Sequence, residues 1–224
     1  MSDARDQEFM RRAIGLAKDQ MGKTWPNPAV ACVVVKDGEV VAEAATAPGG
    51  RPHAEEQAVP AAGERARGAT AYVTMEPCGA RSSGRTSCSN FLMDAGIARV
   101  VVAAVDPSPF AAGRGVERLR KAGLQVETGL LAQDAAVLYE GYLHRVETGR
   151  PMVRISDDGD GFDARFAVSP KADLATELKR LGEAGYTRLW VVPGADGVQF
   201  LLIDPPAGGW DGVSRHGPGM AQRA

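Results

Sequence analysis

The sequence RPHAE, at residues 51–55, places an imidazole and a carboxylate two positions apart, directly after a proline. Proline is favoured in the first turn of a helix, so His53 and Glu55 are expected near a helix N-terminus. Residues i and i+2 do not share a helix face, but both can flank an ion that lies over the helix end. A histidine and a glutamate at this spacing are common by chance, so their meaning depends on further ligands downstream.

Two of the three cysteines could complete a metal site with His53. Cys78 follows Glu76 and Pro77 in the loop after an expected strand, and Cys88 begins an expected helix. One imidazole and two thiolates are good zinc ligands, and they leave a fourth tetrahedral position for water, as in catalytic zinc sites. A helix N-terminus also favours the thiolate form of Cys88. The pattern predicts a catalytic zinc site held by His53, Cys78 and Cys88.

Glu55 has no ligand role in that site, and we expect its carboxylate to move protons. Zinc lowers the pKa of a bound water to about 7, and a carboxylate beside it can take the proton and pass it on. An H-x-E sequence followed by P-C and a second cysteine is the signature of zinc nucleoside and nucleobase deaminases. The usual C-x-x-C spacing is not met, because nine residues separate Cys78 and Cys88.

The composition is ordinary for a globular protein, with 44% hydrophobic and 24% charged residues in a chain of 224. This length allows one sizeable core with a small appendage, or two small domains. The formal net charge of -2 gives no basic surface for duplex nucleic acid. We therefore expect a small-molecule substrate and no nucleic-acid partner.

Cysteine usage and hydropathy predict a cytoplasmic protein. The sequence contains no apolar run of membrane-spanning length, and residues 1–12 lack the core of a signal peptide. An odd number of cysteines favours ligand or core roles over disulfides. Cys32 lies in an apolar run beside valines, so we expect it to be a core thiol.

Predicted strands alternate with helices over residues 1–150. The hydrophobic pattern predicts helices at 7–20, 53–66, 88–95, 113–123 and 131–149, and strands at 29–35, 39–45, 69–75, 97–106 and 124–129. Asp37-Gly38 predicts the turn of an antiparallel hairpin, and Pro60 is expected to disturb the second helix or end it early. This alternation predicts an α/β sandwich whose sheet is partly parallel.

Residues 151–224 differ from the first domain. Strands are predicted at 152–156, 187–194 and 198–204, and a helix at 172–185, with an acidic turn at 156–163. Residues 206–224 are rich in glycine and proline and predict a disordered tail. We therefore divide the chain into 1–150, 151–205 and 206–224.

Several blocks of sequence resemble, in the right order, the bacterial riboflavin-biosynthesis pyrimidine deaminases, which form the deaminase half of a deaminase–reductase. The blocks are TWPNPAVACVVVKDG, PGGRPHAE, ARGATAYVTMEPC, GRTSC, AGIARVVVAAVDPSP, AGRGVERLRKAGLQVETG and a last helix ending in TGRP. The resemblance implies a cytidine deaminase-like three-layer α/β sandwich with a five-stranded mixed sheet. It also implies one zinc ion per chain and hydrolytic deamination of diaminohydroxyphosphoribosylaminopyrimidine, with release of ammonia.

The same resemblance implies roles for residues around the substrate. Glu55 would protonate the ring nitrogen and then the leaving amine. Asn27 would hydrogen-bond the ring, and Asp106 would line the substrate site. Arg85 and Thr86 would hold the ribose phosphate, since arginine offers two parallel donors to a phosphate.

The sequence departs from the family pattern near these residues. The loop CGARSSGRTSC is one residue longer than usual and lacks a histidine and paired prolines, Ser108 replaces an asparagine, and Ala31 replaces a glycine. A deaminase of another aminopyrimidine, in secondary metabolism, is therefore one alternative. Others are a deaminase of a base, nucleoside or tRNA, and a non-catalytic zinc-stabilised module whose tail binds a partner. Glu55 argues against the last, because zinc structure alone needs no carboxylate there.

Residues 151–205 resemble a shortened and degenerate reductase. RPMVRISDDGDG is similar to its opening strand, and ADLATELKRLGEAGYTRLWVVPG to a late helix–strand unit, where only Gly194 remains of a Gly-rich turn. We therefore expect no NADPH binding and no reductase activity. The apolar residues of this part are expected to pack on the deaminase domain or to form a homodimer contact; they are Val191, Val192, Phe200, Leu201 and Leu202.

Overall fold

The computed structural model describes residues 4–79, 86–106, 113–156, 158–166 and 173–191. Its larger part is a three-layer α/β domain, in which a five-stranded sheet lies between two layers of helices. The strands are β1 (Ala31–Lys36), β2 (Glu39–Ala45), β3 (Thr70–Met75), β4 (Arg99–Ala104) and β5 (Gln125–Thr128). The helices are α1 (Ala4–Lys18), α2 (Ala54–Ala62), α3 (Cys88–Asp94), α4 (Arg114–Lys121) and α5 (Ala132–Thr148).

The sheet has the order β2-β1-β3-β4-β5 and is mixed. β1 runs antiparallel to both β2 and β3, whereas β3, β4 and β5 are parallel. Asp37 and Gly38 have positive φ angles of 53° and 82°, as the tight turn of a hairpin requires. The predicted fold class, an α/β sandwich with a five-stranded mixed sheet, is confirmed.

Two hydrophobic cores lie on opposite faces of the sheet. Helices α2, α3 and α4 cover one face, and α1 and α5 cover the other. Successive side chains of a strand point to opposite faces, so Cys32 belongs to the first core and Val33 to the second. Both are fully buried, which explains why β1 reads as a continuous apolar run and gives Cys32 the core position that was expected.

The helix bounds differ from the prediction at two places. α1 begins at Ala4, earlier than the pattern indicated. α2 continues through Pro60 but ends at Ala62, four residues before the predicted end at 66, so the expectation that this proline would end the helix early is confirmed. Residues Gly63–Ala66 form a short 3₁₀ helix. Pro60 lies in the last turn, where its missing N–H removes one backbone hydrogen bond, and the buried face of α2 outweighs that loss.

Residues 151–191 form a smaller α/β unit, which we call the C-terminal unit. It contains β6 (Met152–Ile155), β7 (Ala164–Arg165), α6 (Leu174–Glu183) and β8 (Arg188–Val191), with the parallel strand order β6-β8-β7. Its core includes Val191, which is buried as expected. Val192, Phe200, Leu201, Leu202 and the whole of 206–224 lie outside the described residues.

The C-terminal unit packs on α5 and on the loop between α1 and β1. The ring of Trp25 stacks on that of Tyr186, with 4.4 Å between centroids. A Cβ at Gly22 would lie 2.4 Å from the carbonyl oxygen of Phe162, so the two backbones are in direct contact. Among the described helices, none combines the length and the apolar character needed to cross a membrane.

Candidate active site

Three separate elements bring His53, Cys78 and Cys88 together. His53 is the N-cap of α2, Cys78 lies in the loop after β3, and Cys88 is the first residue of α3. Their ligand atoms all lie within 4.8 Å of one another. Nδ1 of His53 is 3.3 Å from Sγ of Cys88, and the backbone N–H of Cys88 donates to Sγ of Cys78 at 3.2 Å. The first backbone N–H of α3 therefore points at the sulfur of Cys78.

The donor set suits a zinc ion. Typical Zn–S and Zn–N bond lengths place two ligands of a tetrahedral ion about 3.5 to 3.8 Å apart, close to the separation of the His53 and Cys88 atoms. Nε2 of His53 is buried and accepts or donates no hydrogen bond within the described residues. Across those same residues, no other His, Cys, Asp or Glu joins the group. Three protein ligands are the usual number for a catalytic zinc.

Glu55 lies in the first turn of α2 and is only 2% exposed. Burial raises the pKa of its carboxyl group, against the effect of a backbone hydrogen bond, and the nearby Cys78 thiolate raises it further. The charge of His53 and a hydrogen bond with Cys88 lower it. All three predicted ligands therefore act on the pKa of this carboxyl group.

Polar contacts fix the start of α2. The backbone N–H of His53 donates to Oε2 of Glu56 at 2.7 Å, which is one half of a capping box. The side chain of Gln57 donates to the carbonyl of Ala45 at the end of β2. The N-terminus of α2, with His53 and Glu55, is thereby held against the sheet edge.

Three of the four residues predicted to bind substrate lie within the described part of the chain. Nδ2 of Asn27 donates to the carbonyl oxygen of Gly50 at 2.9 Å, in the loop that leads to His53. Asp106 follows β4 and is 8% exposed. Thr86 is exposed, next to the N-cap of α3. Arg85 lies outside the described residues.

Glu76 is a residue to which the sequence reasoning gave no role. It directly follows β3 and is 6% exposed. Its two carboxylate oxygens accept four backbone hydrogen bonds, from Asp106 (3.3 Å), Gly113 (3.0 Å), Gly115 (2.8 Å) and Val116 (3.1 Å). The sequence signal that could have found it is an acidic residue directly between an apolar strand and Pro77-Cys78.

Several known proteins are similar to this chain. A family model of the cytidine and deoxycytidylate deaminase zinc-binding region matches residues 3–104, which include all three ligands and Glu55. The riboflavin biosynthesis protein RibD of Escherichia coli is 47% identical over 165 residues, or 73% of this chain. The chain is thus similar to RibD proteins over about three quarters of its length. A solved RibD structure from Acinetobacter baumannii is 44% identical and covers 72% of this chain, with a TM-score of 0.64.

The RibD relatives are longer than this chain. It covers 44% of the Escherichia coli RibD protein and 44% of the Acinetobacter baumannii RibD chain. The RibD protein of Aquifex aeolicus is 44% identical over 204 residues, which are 90% of this chain and 56% of that protein. An alignment of 204 residues extends past residue 150, so the similarity to RibD continues into the C-terminal unit.

Proposed function

We propose that this protein is a zinc-dependent hydrolase that deaminates diaminohydroxyphosphoribosylaminopyrimidine, the substrate class of riboflavin biosynthesis. The observation that carries the proposal is the group of His53, Cys78 and Cys88 with the buried Glu55 beside it, in a chain similar to RibD proteins. A zinc ion held by these three residues would act as a Lewis acid and lower the pKa of a water bound to it to about 7.

Glu55 carries the proton transfers in this proposal. Water adds to the amino-bearing ring carbon, so one proton must go to the ring nitrogen and another to the leaving amine. The carboxylate of Glu55 accepts one proton from the water and donates it to the ring nitrogen. It then accepts the hydroxyl proton of the adduct and donates it to the amine, so that ammonia leaves as the ring carbonyl forms. Glu55 ends in its starting state. Its burial beside the ligands supports this role, because a water-excluded carboxyl group exchanges protons only with groups at the site.

Asn27 is the residue we assign to the pyrimidine ring. Its Nδ2 is engaged by Gly50, so its Oδ1 is the atom left to accept a hydrogen bond from a ring or amino N–H. Asp106 and Thr86 are proposed to line the substrate site, and Arg85 to hold the ribose phosphate. The resemblance to the family motifs supports these assignments.

An ammonia-release assay with purified, zinc-loaded protein tests the proposal. The Glu55→Ala variant should retain one zinc per chain and lose at least about a hundredfold in turnover, because general acid–base catalysis contributes that much or more. Glu64→Ala, an exposed residue just after α2, is the matched control and should keep full activity. Full activity in Glu55→Ala would reject the mechanism. Removal of zinc with a chelator should abolish ammonia release, and zinc should restore it.

The altered loop at 78–88 supports a second candidate, the deamination of a different aminopyrimidine. Its extra residue and missing prolines fall where the family holds the substrate. A substrate panel of aminopyrimidines, cytidine and free bases separates the two candidates. Turnover of another compound, with none of the phosphoribosylated pyrimidine, would favour the second. A protein that binds zinc but deaminates none of them would support a non-catalytic module.

We further propose a cytoplasmic homodimer that neither binds NADPH nor acts as a reductase. Cys78 and Cys88 must stay reduced to bind zinc, which a reducing compartment ensures. Residues 151–205 are proposed to be a remnant of the reductase. Light scattering coupled to size exclusion tests the dimer, and equilibrium dialysis with NADPH tests the absence of that cofactor.

A further inference from the structure

We propose that Glu76 is a positioning residue, which holds the zinc-ligand loop and Asp106 in register with each other. The expected effect on KM rests on the proposed deamination, but the expected effect on amide hydrogen exchange does not depend on any substrate. Glu76 directly precedes Pro77 and Cys78, and its own backbone N–H donates to the carbonyl of Ala104 at 2.9 Å. This bond extends the pairing of β3 with β4, so the backbone of Glu76 is fixed to the sheet.

One carboxylate oxygen of Glu76 holds the N-terminus of α4. Oε1 accepts from the N–H groups of Gly115 (2.8 Å) and Val116 (3.1 Å), in the first turn of the helix. First-turn N–H groups have no partner within their own helix, and the helix dipole favours a negative charge there. Four backbone donors therefore balance a charge that is almost fully buried.

The loop that carries Cys78 lies directly against this helix end. A Cβ at Gly115 would lie 1.8 Å from the carbonyl oxygen of Pro77, and a Cβ at Gly79 would lie 3.3 Å from the backbone of Arg114. The side chain of Arg118 also donates to the carbonyl of Gly79 at 3.2 Å. Through Glu76, the position of α4 and the position of the Cys78 loop are set together.

The other carboxylate oxygen of Glu76 holds Asp106. Oε2 accepts from the backbone N–H of Asp106 (3.3 Å) and from that of Gly113 (3.0 Å). These two residues lie on different elements, after β4 and at the N-cap of α4. A single oxygen thus joins the backbone of a proposed substrate residue to the helix that supports the zinc-ligand loop.

Glu76→Gln distinguishes the hydrogen bonds of the two carboxylate oxygens with little change in side-chain shape. Glutamine has one acceptor oxygen, and its NH₂ group faces N–H donors at the other site. The bond to Gly115 is the shortest of the four at 2.8 Å, and it favours the amide oxygen on that side. The Asp106 and Gly113 amides then lose their acceptor. We expect zinc binding to be retained, kcat to change little and KM to rise about tenfold, the loss expected for two such hydrogen bonds.

The experiment compares Glu76→Gln and the wild type, with Glu64→Gln as an exposed control. It measures the zinc content per chain, kcat per bound zinc, KM, and amide hydrogen exchange at the four donors named above. Faster exchange at Asp106 and Gly113 than at Gly115 and Val116, with a raised KM, supports the proposal. Unchanged KM and unchanged relative exchange, with only a lower melting temperature, would show a merely structural role and overturn it.

A second variant tests the proposal if Glu76→Gln folds poorly. Glu76→Asp keeps the charge, but its shorter side chain cannot reach both donor pairs, so it should also raise KM and speed exchange at one pair. Exchange and KM equal to those of the wild type would overturn the proposal. If the wild type releases no ammonia from any substrate, the proposed function fails, whereas the exchange pattern still decides the role of Glu76.

Discussion

Gly115→Ala is expected to disrupt both the fold and the zinc site, although alanine is normally the better helix residue. The substitution adds one methyl group to the second residue of α4. That carbon would lie 1.8 Å from the carbonyl oxygen of Pro77, 3.0 Å from its carbonyl carbon and 3.2 Å from Oε1 of Glu76. The nearest of these atoms is backbone, so no side-chain rotation relieves the clash. The helix end and the Cys78 loop must move apart by roughly 1 Å or more, the scale of displacement that costs overpacked cores about 1–3 kcal/mol.

The helix preference of alanine opposes this cost. Gly→Ala within a helix stabilises by up to about 1 kcal/mol, so the net loss at Gly115 should be about 1–2 kcal/mol. Gly15→Ala, in α1, is the matched control, because nothing lies within 4 Å of the added carbon. The free energy of unfolding should therefore fall for Gly115→Ala and rise for Gly15→Ala.

Thermal unfolding and zinc analysis together decide this prediction. For a chain of this size, 1 kcal/mol corresponds to a shift of about 2–4 °C in melting temperature, which thermal unfolding resolves easily. The Gly115→Ala protein should also bind zinc more weakly, because Cys78 moves with Pro77. A Gly115→Ala protein as stable as Gly15→Ala, with a full complement of zinc, would refute the close contact between α4 and this loop.

Two further predictions concern stability away from the zinc group. Asp6→Asn should lower the free energy of unfolding by about 2 kcal/mol, because buried Asp6 accepts from the Tyr72 hydroxyl (2.6 Å) and pairs with Arg99 (2.8 Å); an unchanged urea midpoint would contradict this. Burial lowers the pKa of His144 below its ordinary 6.5, so stability is complete above pH 6.5 and falls as the pH drops through the folded-state pKa. His144→Gln should lose less stability than the wild type between pH 7.5 and 5.5; equal losses would exclude this contribution.

The metal group could be predicted from the sequence because each of its members carries a local signal. His53 and Glu55 follow a proline at a helix start, and Cys78 and Cys88 begin and end a loop between a strand and a helix. The mixed sheet was also predictable, since the Asp37-Gly38 hairpin fixes an antiparallel start. A metal site forms only where His53, Cys78 and Cys88 meet, and their order along the chain was sufficient to predict that they do.

Other features depend on contacts that no local pattern records. The four amide donors to Glu76 lie 30 to 40 residues away along the chain, so nothing near Glu76 reveals them. The passage of α2 through Pro60 also depends on such contacts, because the burial of Ala58 and Val59 on the sheet offsets the missing N–H of Pro60. The two-residue strand β7 is too short to give a periodic signal.

The boundary at residue 150 separates two stretches of sequence but not two independent bodies. A Cβ at Gly182 of α6 would lie 2.0 Å from the carbonyl oxygen of Gly149, so α6 rests on the junction itself. The guanidinium of Arg145 reaches the carbonyls of Gly182 (3.4 Å) and Pro26 (3.2 Å). A protein shortened to residues 1–150 would expose the α5 surface and remove the ring that covers Trp25. A protein made to study residues 1–150 should therefore include the C-terminal unit, because that unit covers these surfaces.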